Sequence, residues 1–213
     1  STRVVPDDAF ADPHVGRFTN DRSLSGAEMD TIVNWVDSGA REGNPKDAQT
    51  PRQFAKDWRI SKPDVVFEMP VDHEVPASGT IEYVYYIVPT NFSKDRWVQM
   101  AEARPGNRAV VHHIIVFVRD PTSTWLRGYP VGQAFAAGDQ GDGEILTDFV
   151  PGAQPLMLRS EQAKLIKAGS DLVFQMHYTA NGKAAMDRSR VGIVFAKKPP
   201  RQRVVMLNVS NGV

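Results

Sequence analysis

Apolar residues at helical spacing mark one short helix near the start of the chain. They fall at i, i+3, i+4 and i+7, and they are Met29, Ile32, Val33 and Val36. Ser25 and Glu28 form the S-x-x-E signature of a capping box just before this run. Gly39 stands where a helix commonly ends in a left-handed residue. The pattern therefore predicts a helix over residues 25–38.

Beyond residue 54, short runs of β-branched and aromatic residues alternate with Pro, Gly, Asn and Asp. The segments 80–88 and 171–179 partly alternate between apolar and polar residues, as half-buried strands do. The segments 109–118 and 191–197 are more continuously apolar, which is typical of strands in a sandwich core. Seven strands are predicted, at 64–69, 80–88, 96–103, 109–118, 171–179, 191–197 and 203–209.

The segments between the predicted strands indicate how the chain is organised. Residues 41–54 are rich in Pro and polar side chains and predict a boundary, so we expect two parts, 1–50 and 51–213. The Gly- and Pro-rich stretch 121–167 predicts an extended surface connection, with one short strand near 163–168. The predicted fold class is mainly β, an antiparallel, jelly-roll-like β-sandwich with a short N-terminal helical segment.

Composition and charge narrow the chemistry. The 25 basic and 25 acidic residues balance to zero net charge, without the basic excess that nucleic-acid binding needs. No apolar run approaches the roughly 18 residues of a transmembrane segment. Cysteine is absent, which excludes disulfides, thiolate metal sites and covalent c-type haem attachment inside this chain. A metal would therefore be held by His, carboxylate, Met or backbone ligands.

Three of the five histidines lie in apolar strand-like segments. His112 and His113 are adjacent in "VVHHIIVFV", and His177 lies in "LVFQMHYT". A lone histidine in such a strand usually bonds to a carbonyl or carboxylate, because an unpartnered buried imidazole is costly. Three imidazoles on neighbouring strands also fit a site for Zn, Cu, Fe or Ni. The residues alone leave both interpretations open.

Adjacent strand residues point to opposite faces of a sheet. For His112 and His113 to share a metal, the strand must therefore end there, form a bulge, or present both rings through Nδ1. Coordination through Nδ1 tends to hold two imidazoles nearly opposite each other, which suits Cu(I). A third histidine would then complete a T-shaped site.

These two segments resemble the type II copper, ascorbate-dependent monooxygenases, a family that includes peptidylglycine α-hydroxylating and dopamine β-monooxygenases. The resemblance is to the first copper-binding half, where "VVHHIIVFV" is followed about sixty residues later by "GSDLVFQMHYT". Longer segments, such as "WRISKPDVVFEMP" and "DRWVQMAEARPGNRAVVHHIIVFVR", resemble large bacterial proteins. Those proteins join a cytochrome c-like segment to a copper monooxygenase-like module.

The resemblance implies one copper in this chain, bound by His112, His113 and His177, with Gln175 and Tyr178 matching the flanks of the third ligand. It assigns no catalytic residue and no other cofactor-binding residue. Residues 1–50 resemble the tail of a cytochrome c-like segment, and haem is expected only in an adjoining segment.

In this family a second sandwich holds the catalytic copper through an H-x-H pair and a Met, and this chain has no H-x-H. We therefore expect an internal fragment, or a trimmed chain, of a periplasmic or secreted protein. It would transfer electrons within a copper-dependent monooxygenase-like protein and would be inactive alone. Its implied partners are the rest of a longer polypeptide or a second copper-binding sandwich, and a haem electron donor.

Two other functions remain open at this stage. The sandwich could be a non-catalytic binding or structural module of a larger secreted protein, with Trp125 and Tyr129 contacting a polysaccharide or a partner. Alternatively, the histidines could hold a hydrolytic zinc, with Glu102 or Asp171 as the general base.

Overall fold

The computed structural model describes residues 23–51, 57–137 and 143–206. The chain divides into two compact units, Ser1–Gln53 and Phe54–Val213, and each is described by itself. The described residues are mainly β with one short α-helix, and they form an antiparallel β-sandwich, which confirms the predicted fold class. Within these ranges, no helix is long and apolar enough to cross a membrane.

The first unit contains helix α1, Gly26–Asp37, and a short 3-10 helix, Pro45–Asp47. The predicted capping box is confirmed. The Ser25 hydroxyl accepts the Glu28 N–H, and the Glu28 carboxylate accepts the Ser25 N–H at 2.8 Å. Gly39 follows the helix with φ +92°, as expected. No residue of α1 is buried within the described part of the chain.

The second unit is built from strands. In chain order they are β1 Val65–Glu68, β2 His73–Val75, β3 Val84–Pro89, β4 Arg96–Arg104, β5 Val111–Arg119, β6 Phe135–Ala136, β7 Glu144–Phe149, β8 Leu156–Met157, β9 Gln162–Ile166, β10 Asp171–Tyr178, β11 Ala185–Asp187, β12 Arg190–Phe195 and β13 Gln202–Arg203. Each of the seven predicted segments contains part of a strand. Of the predicted strand 203–209, residues 207–209 lie outside the described ranges.

Two main sheets face each other. The five-stranded sheet has the order β6-β3-β10-β5-β7, and the six-stranded sheet has the order β1-β12-β4-β9-β13, with β8 also paired to β4. Strands β11 and β2 form a small third sheet. Neighbouring strands are antiparallel except β9 and β13, which are parallel. Strands β5 and β10, which carry the three histidines, are adjacent at the centre of the five-stranded sheet.

The core lies between the two main sheets. Alternate residues of β10, Leu172, Phe174 and Met176, are fully buried in it, together with Val191 and Ile193 of β12. Burying one such side chain stabilises the fold by about 1.5–3 kcal/mol. The alternation leaves Val173, Gln175 and His177 on the opposite, outer face of the five-stranded sheet.

The connection 121–167 covers part of that outer face. Leu126 and Trp125 pack there in a second apolar cluster with Phe117, Tyr85 and Val173. The expectation that this stretch is an extended surface connection is only partly correct. It contains β6, β7 and β8, which were not predicted, and β7 forms an edge of the five-stranded sheet. The expected short strand near 163–168 is present as β9, Gln162–Ile166.

Candidate metal centre

His113 and His177 form a directly opposed cross-strand pair on the outer face of the five-stranded sheet. Five residue pairs separate them from the far end of the same two strands, where Arg119 opposes Asp171. The two rings lie 4.8 Å apart between centroids, and both side chains are partly buried. Ordinary strand alternation is enough to bring these two histidines together.

A β-bulge brings in the third histidine. Across the β5–β10 ladder, His113 pairs with His177 but Val111 pairs with Tyr178, so His112 is an extra residue without a partner. Such a bulge bends the strand and re-aims side chains. The Nδ1 atoms of His112 and His113 are consequently 3.1 Å apart, and Nδ1 of His177 is 3.4 Å from that of His113. The three rings point at one another although two of them are neighbours in sequence.

The spacing of these nitrogen atoms is close to that of a shared metal site, and the rings need only a small further approach to reach one ion. One ring nitrogen from each histidine lies within 4.8 Å of the other two. An ion bonded to imidazole nitrogens at about 2.0 Å holds any two of them at most about 4.0 Å apart. The 3.1 Å between His112 and His113 is well short of that limit. As the rings lie, the Nδ1 atoms of His112 and His113 form a bent arrangement, and the nearly opposed geometry of a metal-bound pair stays a prediction.

The environment favours unprotonated rings. Burial and, to a smaller extent, the positive charges that His177 and His112 would carry together lower the pKa of His113 to about 4. Burial also lowers the pKa of His177, with a smaller effect from His112. Unprotonated imidazole is the form that binds metals. At neutral pH these two rings therefore offer lone pairs to a common point without first releasing a proton.

Tyr83 contributes to this burial from the neighbouring strand segment. Its ring centroid lies 4.9 Å from that of His177 and 5.7 Å from that of His113. His177 also lines a cavity of about 460 Å³, together with residues of the segments 77–81 and 178–182. His112 is the exposed member of the triad. The site is thus covered by an aromatic ring on one side and reachable from solvent on another.

The two carboxylates considered as general bases have structural partners elsewhere. Glu102 accepts the backbone N–H groups of Arg59 and Ile60 at 2.6 and 3.2 Å and pairs with Arg104. Asp171 pairs with Arg119 at 2.6 Å, at the far end of β10 from His177. Neither carboxylate is placed to activate a water molecule at the triad.

The aromatic residues in the first part of the connection 121–167 pack within the second unit. The ring of Trp125 lies 5.3 Å from that of Phe117 in an edge-on contact. Tyr129 remains 42% exposed, and its ring lies 4.7 Å from that of Phe135. Packing of this kind accounts for Trp125 without a ligand.

The two remaining histidines, His14 and His73, stand in polar, Pro-flanked segments, which predicts solvated side chains. His14 lies outside the described residues. His73 contradicts the expectation, since it is partly buried, shares a 2.8 Å hydrogen bond with the Tyr86 hydroxyl and stacks on Tyr178 at 4.7 Å. The sequence around His73 is polar and contains Pro, so it did not predict strand β2, which pairs with β11.

Gly106 lies in the turn before β5, where a residue without a Cβ would allow close backbone approach to the site. The close approach exists, but it is to Arg188. A Cβ on Gly106 would lie 2.5 Å from the Arg188 carbonyl oxygen.

Comparison with protein-family models and with curated protein sequences gives no match for this chain. Among the described residues, the group of three or more potential metal ligands is His112, His113 and His177. These are the three histidines that the sequence predicted to lie together.

Proposed function

We propose that this chain is a copper-binding redox module that transfers electrons within a copper-dependent monooxygenase-like protein. The observation that carries the proposal is the convergence of ring nitrogens from His112, His113 and His177 at the β-bulge. Copper held there would store and release one electron by alternating between the Cu(II) and Cu(I) states. The resemblance of both histidine strands to the copper monooxygenases supports copper over the other metals that imidazole binds.

The charges of the ligands support a redox role. All three are imidazoles, and the low pKa values of His113 and His177 keep those two rings uncharged at neutral pH. Neutral ligands supply no negative charge to offset a second positive charge on the metal. Partial burial penalises that extra charge further. The ligand set therefore favours the singly charged over the doubly charged state, which makes the site easier to reduce.

The residues also limit what the module does alone. They provide three ligands for one ion, and the two candidate bases, Glu102 and Asp171, are committed to other contacts. In the family that the chain resembles, hydroxylation requires a second copper held by another sandwich. We therefore assign electron storage and delivery to this module and hydroxylation to a partner module, with a haem protein as a candidate electron donor.

Copper loading tests the proposal. The wild type, loaded with Cu(II) and desalted, is expected to retain one copper per chain, with an electron paramagnetic resonance signal that disappears on reduction. His177→Ala is expected to lose both the copper and the signal. Asp171→Asn is the matched control, because Asp171 lies on the same strand as His177 but at its far end, where it pairs with Arg119, and it should retain copper. Retention of zinc instead of copper, or full copper binding by His177→Ala, would contradict the proposal.

A further inference from the structure

Asp187 is a buried carboxylate that lies beside the ends of the two histidine strands. It is 1% exposed and belongs to β11 of the small third sheet. One carboxylate oxygen accepts the backbone N–H of Asn107 at 2.8 Å. The other accepts the hydroxyl groups of Tyr178 and Ser189 at 3.0 and 2.8 Å. Hydrogen bonds to a carboxylate are strong, and three of them compensate for removing it from water.

Two of these hydrogen bonds reach the strands on both sides of the bulge. Tyr178 directly follows His177 and is paired with Val111, which directly precedes His112. Asn107 lies in the turn before β5, and its carbonyl oxygen accepts the N–H of Val111 at 3.1 Å. Asp187 therefore connects the end of β10 to the start of β5 at the point where the extra residue is inserted.

The Tyr178 side chain is held from a second direction. Its ring is 2% exposed and stacks on His73 with the two planes 10° apart. The His73 ring is fixed in turn by its hydrogen bond to Tyr86. Because Tyr178 is held by a ring on one face and by Asp187 at its hydroxyl, the backbone next to His177 has little freedom to change register.

We infer that Asp187 is a positioning residue for the metal centre. It does not contact the triad. It holds Tyr178 and Asn107, and through them the bulge that turns His112 towards His113 and His177. Groups that hydrogen-bond to metal ligands directly change metal affinity by about 10- to 100-fold when they are removed. Because Asp187 acts through one further residue, we expect the lower end of that range. The inference rests on the proposed copper-binding function.

The test uses the full chain with Asp187→Asn and Tyr178→Phe. Asp187→Asn keeps the side-chain shape but replaces one acceptor oxygen with a donor group. Tyr178→Phe keeps the ring on His73 and removes only the hydroxyl that Asp187 accepts. Asp171→Asn is the matched control, because Asp171 also connects β10 to β5, through Arg119, but at the end away from the triad.

Three measurements are made on each protein: Cu(I) affinity in competition with a chromophoric chelator, the electron paramagnetic resonance spectrum of the Cu(II) form, and unfolding of the metal-free chain by urea. Asp187→Asn and Tyr178→Phe are expected to bind Cu(I) about 10-fold or more weakly and to show altered Cu(II) spectra. Asp171→Asn should lose stability while its affinity and spectrum stay at the wild-type values.

The outcomes separate this inference from the proposed function. Wild-type protein that binds no copper refutes the proposed function, and the assignment of Asp187 fails with it. Wild-type protein that binds copper, together with unchanged affinity and spectra in both Asp187→Asn and Tyr178→Phe, refutes the assignment alone. An Asp171→Asn variant whose affinity falls as far as theirs would also overturn it, because the effect would then follow general stability.

Discussion

Acidification should destabilise the metal-free chain through His113. Burial and the neighbouring imidazoles lower the pKa of His113 from 6.5 to about 4. In the unfolded chain the His113 ring is therefore protonated near pH 6.5, whereas in the native state it is protonated only near pH 4. Between these values the unfolded state binds more protons, so stability falls as the pH falls. Below about pH 4 both states are protonated and this contribution no longer changes.

The size of the effect follows from the same interval. At about 1.36 kcal/mol per pH unit, a fall from 6.5 to about 4 corresponds to about 3.4 kcal/mol as an upper limit. The His113 ring is partly exposed, and solvent screens its interaction with the other rings. We therefore expect roughly half of the limit, about 1.5 kcal/mol.

Urea unfolding in the presence of a chelator measures this contribution. The wild type is compared with His113→Gln from about pH 7.5 to about pH 4, because glutamine does not titrate. His73 and His177, whose pKa values burial also lowers, remain in both proteins. The wild type should lose about 1.5 kcal/mol more than the variant over this range. Equal losses in the two proteins would show that His113 is not protected from protonation in the native state.

Two further substitutions test the surroundings of the site. Gly106→Ala places a Cβ 2.5 Å from the Arg188 carbonyl oxygen, so the free energy of unfolding in urea should fall by about 1–3 kcal/mol. Gly43→Ala is the control, because its Cβ meets nothing within 4 Å and the substitution should be nearly neutral. Tyr83→Ala uncovers the ring of His113, so its pKa in the metal-free chain should rise towards the ordinary value in an NMR titration, and an unchanged pKa would show that Tyr83 does not contribute to its burial.

The sandwich was largely predictable because its central strands carry long apolar runs. The segments predicted at 109–118 and 171–179 became β5 and β10, which are buried on one face by the core and partly on the other by the connection. The edge strand β7 was not predicted, although Ile145 and Leu146 are apolar. It follows a Gly-rich segment and forms by pairing with β5, a contact that the local pattern does not contain.

The ends of helix α1 could be predicted from the sequence, but the burial of its apolar face could not. Its cap and its terminal glycine depend on residues within one or two turns, and both were predicted correctly. The burial of its apolar face is not a local property. In the described structure Met29, Trp35 and Val36 are each more than half exposed. A hydrophobic stripe therefore identified the helix without identifying what covers it.

The convergence of the histidines also depends on more than their strands. In a regular strand His112 would point away from His113, into the side of the sheet that packs against the core. The bulge turns both rings to one side. The Nδ1 atoms, which are the ring nitrogens nearest the backbone, then approach each other, because adjacent Cα atoms are only about 3.8 Å apart. A shift of register by one residue would undo this arrangement without changing any of the three histidines. That register is held by Asn107 and Asp187, which lie outside the histidine strands. The three histidines could therefore be predicted as candidate ligands from the strand sequences, whereas the geometry that brings their rings together could not.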